Sequence, residues 1–137
     1  MHESGRDELC GVDEAAAMFA ERVMAERLVY PPLEESDRMA AAIARNLGHP
    51  PVVHWDIVSQ SVREVCQRLS SGAVVFVHGF DGFFRHTAKL AQAFVQTEAR
   101  GAVMVAFCPA SRWPKRSHRK ARAKEGSTEN VVKEEIV

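Results

Sequence analysis

The first half of the chain shows the spacing of apolar residues that is typical of helices, and it predicts three of them. The first covers residues 13–29, with Asp13 as its N-cap. It stops before Pro31, because a residue that precedes proline is pushed out of the helical region. The second covers residues 35–47, and the third begins at Asp56 and ends near Leu69. Between these two, Val52 suits the start of a short extended segment.

The second half of the chain predicts a strand–helix–strand unit. Apolar runs rich in β-branched residues predict strands at residues 73–77 and 102–107, and a helical pattern covers residues 84–98 between them. Such a βαβ unit is expected to be right-handed and to place its strands parallel. The sequence therefore predicts an α/β fold, in which N-terminal helices precede one βαβ unit with a small parallel sheet. We expect one domain over residues 13–110, a disordered start at residues 1–12 and a charged, poorly ordered tail at residues 111–137.

Composition narrows the class of protein. The 137 residues are 46% hydrophobic and 26% charged, which is ordinary for a globular domain that buries one core. No apolar run approaches the roughly 18–20 residues of a membrane span, and the polar start lacks the apolar core of a signal peptide. These features indicate a soluble, cytoplasmic protein that does not associate with membranes.

The cysteines indicate neither a disulfide framework nor a metal site. Cys10, Cys66 and Cys108 lie far apart and are odd in number, and no CxxC pair or Cys/His ligand spacing occurs. The sequence predicts no cofactor.

Charge is distributed unevenly, although the formal net charge is zero. Residues 112–124 contain seven basic residues and no acid. Clustered lysine and arginine release counterions from phosphates, and an aromatic ring adds base stacking. The candidate contacts to nucleic acid are Arg112, Trp113, Lys115, Arg116, Arg119, Lys120, Arg122 and Lys124. An acidic protein is a further candidate partner for this segment, and the alternative is a solvated tail that binds nothing.

The segment AVVFVHGFDGFF places His78 and Gly79 where the first predicted strand meets the following helix. The pieces VVFVHGF, FFRHTAKLAQAF, GAVMVAF and CPASRW resemble the α/β-hydrolase superfamily, and in particular a group of bacterial hydrolase-like proteins. The resemblance covers roughly residues 73–113, about a third of the chain. In that superfamily an early strand ends in His-Gly, and the loop after it helps to form the oxyanion hole.

The resemblance implies roles for three residues of this loop. Phe80 would supply a backbone amide to the oxygen that gains charge during acyl transfer, Gly79 would allow close approach, and His78 would hold the loop. Preorganised donors of this kind contribute about 3–4 kcal/mol to transition-state stabilisation. The other interpretation of His78-Gly79 is a plain turn between a strand and a helix, in which glycine supplies backbone freedom.

The sequence after this loop lacks the catalytic motif of that superfamily. No G-x-S-x-G elbow occurs, Ser111 and Ser127 lack flanking glycines, and His118 is the one histidine after the βαβ unit. A serine without its base is a weak nucleophile. We therefore expect a truncated or degenerate α/β-hydrolase-like protein that retains an oxyanion-type loop without a complete triad. The alternative is a non-catalytic interaction protein that binds nucleic acid or an acidic partner through its basic segment.

Overall fold

Residues 3–109 are those that the computed structural model of this chain describes, and within them helices alternate with short strands. The helices are α1 (Glu3–Glu26), α2 (Ser36–Asn46), α3 (Val62–Gln67) and α4 (Phe84–Ala99). The strands are β1 (Leu28–Val29), β2 (Val52–Asp56), β3 (Val74–His78) and β4 (Val103–Ala106). The predicted α/β class is confirmed. The tail predicted at residues 111–137 lies outside the described residues.

The four strands found in residues 3–109 form one parallel sheet in the order β1-β4-β3-β2. The predicted βαβ unit is β3-α4-β4, in which Val74 pairs with Val103 and Val77 pairs with Ala106. The connections from β2 to β3 and from β3 to β4 each move one strand in the same direction across the sheet. The connection from β1 to β2 crosses the sheet in the opposite direction. Right-handed crossovers then place α2 on the face opposite to α3 and α4, which is where they lie.

Each face of the sheet is buried by two helices, because the central strands β3 and β4 are apolar on both sides. On one face, Val23 of α1 and Ile43 of α2 pack with Phe76 and Val105 of the sheet. The core on the other face joins α3 and α4 to the sheet through Trp55, Val65, Val77, Leu90 and Met104. The result is a three-layer α/β/α arrangement with β3 at its centre.

The helix predicted from Asp56 to Leu69 is wrong in its first half. Asp56 is instead the last residue of β2 (Val52–Asp56), which confirms the extended segment expected from Val52, and residues 57–61 are not helical. In β2, Val53 and Trp55 face the core while their neighbours are exposed. This alternation is the pattern of a strand with one buried face. The helix α3 begins only after Ser61, whose hydroxyl accepts the Glu64 amide in a capping box.

The first predicted helix also differs at both ends. It begins at Glu3 rather than Asp13, so the start that we expected to be disordered at residues 1–12 is helical from Glu3. It ends earlier than expected, because Arg27 adopts a left-handed φ of 72° and Leu28–Val29 joins the sheet as β1.

The outer edge of β2 is protected against pairing with another strand. The guanidinium of Arg68 donates to the carbonyl of His54 at 2.9 Å, and the amide of Asp56 donates to the side chain of Gln60 at 2.8 Å. Side chains thus occupy backbone groups that an added strand would need. This edge is therefore poorly suited to binding a peptide by strand addition.

Candidate functional site

His78 and Gly79 lie at the carboxyl end of β3, where open parallel sheets bind their ligands. Gly79 has a φ of 84°, in the left-handed region that favours glycine. A Cβ atom at this position would lie 3.1 Å from Oδ1 of Asp56 and 3.1 Å from a methyl group of Val58. Both the backbone conformation and the close approach of the β2–α3 loop therefore require glycine here.

The loop between Gly79 and the start of α4 is held by Asp81. Its Oδ1 accepts the amide of Phe83 at 2.9 Å and lies 2.9 Å from Nδ1 of His86, which is 9% exposed. Burial raises the pKa of Asp81, but the hydrogen bonds from Phe83 and His86 outweigh this effect and leave it below its ordinary value. The ionised carboxylate thus fixes the shape of the loop before the helix begins at Phe84.

The amides proposed as oxyanion donors differ in their access to solvent. Within residues 3–109, neither the Gly79 amide nor the Phe80 amide donates a hydrogen bond. Gly79 is exposed, whereas Phe80 is only 2% exposed and stacks on Tyr30 with ring centroids 5.9 Å apart. The Phe80 ring therefore anchors the loop in the core, and the Phe80 amide is covered in this conformation.

A carboxylate lies beside the loop on the β2 side. Asp56 pairs with His78 across the two strands, and its Oδ1 accepts the amide of Val58 at 3.0 Å. This backbone hydrogen bond, together with the hydroxyl of Ser59, lowers the pKa of Asp56. An ionised carboxylate next to Gly79 opposes negative charge on any ligand at that amide.

Two histidines meet on the exposed face of β2 and β3. Nδ1 of His54 and Nε2 of His78 lie 2.8 Å apart, and the ring centroids are 5.1 Å apart with planes inclined by 23°. Burial and the electrostatic effect of His54 both lower the pKa of His78, which favours its neutral form. A contact of this length between two ring nitrogens is a hydrogen bond that needs one proton.

A shallow groove of ≈ 300 Å³ lies beside the histidine pair, between α2 and β2. Asp37 and three alanines line it from α2, Val52 and His54 line it from β2, and Phe76 also contributes to its wall. The groove exists because α2 does not extend over the exposed side chains of β2. It connects a carboxylate, an imidazole and an apolar surface.

The sequence-predicted site residues are only partly described. His78, Gly79 and Phe80 do form one loop at the carboxyl end of the central strand, and their oxyanion-type role stays a prediction. The basic residues predicted to contact nucleic acid, Arg112 to Lys124, lie outside the described residues. In the described part of the chain, no cluster of three His, Cys, Asp or Glu side chains is arranged to hold a metal ion.

Sequence reasoning missed His54, Asp81 and His86. It treated His54 as a loop residue and His86 as a solvated residue of the first helical turn, whereas His86 is buried. The alternation of residues 52–56 was the available signal for His54, because a strand there places it on the same face as His78.

Comparison of the chain with protein-family models, curated proteins and solved structures finds no match. None of the helices within residues 3–109 has both the length and the apolar character needed to cross a membrane.

Proposed function

We propose that this chain is a degenerate α/β-hydrolase-like protein that retains an oxyanion-type loop and does not hydrolyse esters by itself. The observation that supports this best is the position of His78-Gly79. The pair ends a central parallel strand and precedes a loop that stays outside the hydrogen-bonding ladder of α4. The sequence motifs of residues 73–113 agree with this placement.

The arrangement is poorly suited to hydrolysis by the isolated chain. The covered Phe80 amide cannot reach a ligand without movement of its ring, and the Asp56 carboxylate beside Gly79 opposes a developing oxyanion. The sequence lacks the nucleophile elbow, and Cys108, which follows β4, is fully buried. The loop is thus retained without the chemistry that it serves in the superfamily.

Ester turnover tests the absence of catalysis. We expect the purified chain to release p-nitrophenol from p-nitrophenyl acetate and butyrate no faster than a His78→Ala control. Turnover that exceeds the control would show a working catalytic site and would contradict the proposal.

Amide chemical shifts test the loop itself, with butyrate as a simple oxyanion. We expect butyrate to shift the Gly79 amide weakly, and the isosteric Asp56→Asn variant to strengthen this binding several-fold by removing the negative charge. Asn retains the acceptor for the Val58 amide, so the loop keeps its shape. If neither protein shows a shift at Gly79 or Phe80, the oxyanion-type loop is refuted.

The basic segment gives a second candidate function, the binding of nucleic acid. Seven basic residues without an acid in residues 112–124 support it. We expect a labelled oligonucleotide to bind with an affinity that falls steeply with salt, and deletion of residues 112–124 to abolish binding. Absence of binding at low salt, or binding that survives the deletion, would exclude this function.

A further inference from the structure

His54 of β2 and His78 of β3 form a diagonal cross-strand pair on the exposed face of these two strands. His54 lies opposite Phe76, two residues before His78, and Nδ1 of His54 lies 2.8 Å from Nε2 of His78. Aromatic neighbours hold both rings, because His54 stacks on Phe76 with centroids 5.6 Å apart and His78 stacks on Phe107 at 5.9 Å. The contact is therefore a side-chain hydrogen bond that joins the edge strand of the sheet to its neighbour.

This hydrogen bond can tolerate one added proton but not two. When both imidazoles are neutral, one ring donates its N–H and the other accepts through its lone pair. A proton added to Nε2 of His54, the nitrogen outside the contact, makes Nδ1–H a charge-assisted donor, so the bond remains. With a second added proton, both facing nitrogens carry hydrogen and neither has a lone pair. Two positive rings are then in contact and repel each other.

The surroundings of the pair determine which ring takes the last proton. His54 is exposed, so a charge on its ring is better solvated than a charge on the half-buried His78. Burial and the electrostatic effect of His54 lower the pKa of His78, and Asp37 of α2 and Asp56 of β2 oppose this only in part. The guanidinium of Arg68 reaches the carbonyl of His54 from the end of α3, and the chain after β4 contributes an uncharged aromatic ring. The second added proton therefore goes to His78, at a pH below the ordinary histidine value of 6.5.

The edge strand β2 is the element that would respond to this repulsion. It is the outermost strand of the sheet, and within residues 3–109 it pairs with β3 alone. The buried side chains of Val53 and Trp55 hold its other face in the core, so the response is local and not global unfolding. His54 also forms part of the wall of the groove between α2 and β2, which changes shape when the ring leaves His78.

We propose that the His54–His78 pair is a pH-dependent switch, which fastens β2 to β3 at neutral pH and releases the His54 ring when both imidazoles are protonated. The unfolded chain protonates this histidine at its ordinary value, whereas folded His78 does so only at a lower pH. The stabilisation by the pair is therefore present above pH 6.5 and is lost as the pH falls below it. The inference does not rest on the hydrolase-like function.

A titration of the assigned imidazole resonances by NMR, from pH 8 to pH 4, tests the switch in the full chain. We expect the pair to titrate in two separate steps, with the second step, at His78, below pH 6.5. His54→Thr removes the neighbouring ring and keeps a residue that suits an exposed strand position, so the pKa of His78 should rise. His49→Asn is the matched control, since His49 is also exposed, Asn tolerates its φ of 57°, and the pKa of His78 should not change.

Protection of the backbone amides against hydrogen exchange shows whether the second proton loosens β2. Between pH 7.5 and pH 4.5 we expect the protection factors of Val52–Asp56 to fall several-fold more than those of β4. In His54→Thr this difference between the two strands should disappear. Titration of His78 at or above pH 6.5, or an equal loss of β2 protection in the unsubstituted chain and in His54→Thr, would overturn the proposal. The outcome is independent of ester turnover and of the butyrate shifts.

Discussion

Substitution of Gly79 by alanine tests whether the loop after β3 is shaped by a close approach as well as by its backbone. Gly79 has a φ of 84°, and an added Cβ would lie 3.1 Å from both Asp56 Oδ1 and Val58 Cγ2. Gly72 provides a matched control. Its φ is 81°, and an added Cβ would meet nothing within 4 Å.

The two substitutions share the backbone cost and differ in the contact. A non-glycine residue in the left-handed region costs about 1–2 kcal/mol. Overpacking adds about 1–3 kcal/mol where neighbours cannot move away. Because Val58 is 57% exposed, part of this second cost is relieved. We expect Gly72→Ala to lower the free energy of unfolding by about 1–2 kcal/mol, and Gly79→Ala by about 1 kcal/mol more.

Urea unfolding followed by far-ultraviolet circular dichroism measures both values, and equal m-values would show that only stability has changed. The gain from a less flexible unfolded chain is the same for both glycines, so it cancels in the comparison. If the two variants lose the same stability within error, the close approach at Gly79 has no energetic consequence and the reasoning fails.

Substitutions at three other residues test the groups that hold the site. Because the pKa of Asp81 is lowered in the folded state, its ionised form stabilises the fold above its ordinary value of 3.8 and loses this effect as the pH falls below it. Asp81→Asn should therefore flatten the fall of the urea midpoint below pH 3.8. An unchanged profile would show that the Phe83 amide and His86 do not stabilise the ionised carboxylate. Ser61→Ala removes the N-cap of α3 and should cost about 1 kcal/mol, whereas Ser61→Asp, which keeps a capping acceptor, should cost little. Trp55→Phe removes the 3.1 Å hydrogen bond to the carbonyl of Ser61, which keeps only its bond from the Val65 amide, and opens a cavity. We therefore expect a loss of about 2–4 kcal/mol in denaturant unfolding. A loss below that of Ser61→Ala would contradict this account of Trp55.

The βαβ unit could be predicted because its signals are local. The apolar runs at residues 73–77 and 102–107 are long enough and sufficiently β-branched to indicate buried strands. The strands β1 and β2 are different. Leu28–Val29 is only two residues long, and it is a strand because it pairs with Met104 and Val105, which are distant in sequence. This pairing overrides the helical spacing predicted up to residue 29, whereas for β2 the sequence indicated only an extended start at Val52.

The candidate site could be predicted only where one segment of the chain contains it. His78-Gly79 is recognisable because the strand, the turn and the helix follow each other directly. The His54–His78 contact depends on the register that sets Phe76 against His54 and Asp56 against His78. That register is fixed by the sheet as a whole, so neither histidine signals the other in the sequence.

The sign of the charge at the carboxyl end of the sheet opposes the oxyanion-type role that we propose for the loop. An oxyanion hole needs uncompensated amides, and here Asp56 places a carboxylate with a lowered pKa beside Gly79. Asp56→Asn should therefore strengthen butyrate binding at the Gly79 amide several-fold, because it removes the negative charge and keeps the acceptor for the Val58 amide. Unchanged or weaker butyrate binding by this variant, measured from the Gly79 amide shift, would show that the electrostatic explanation is wrong.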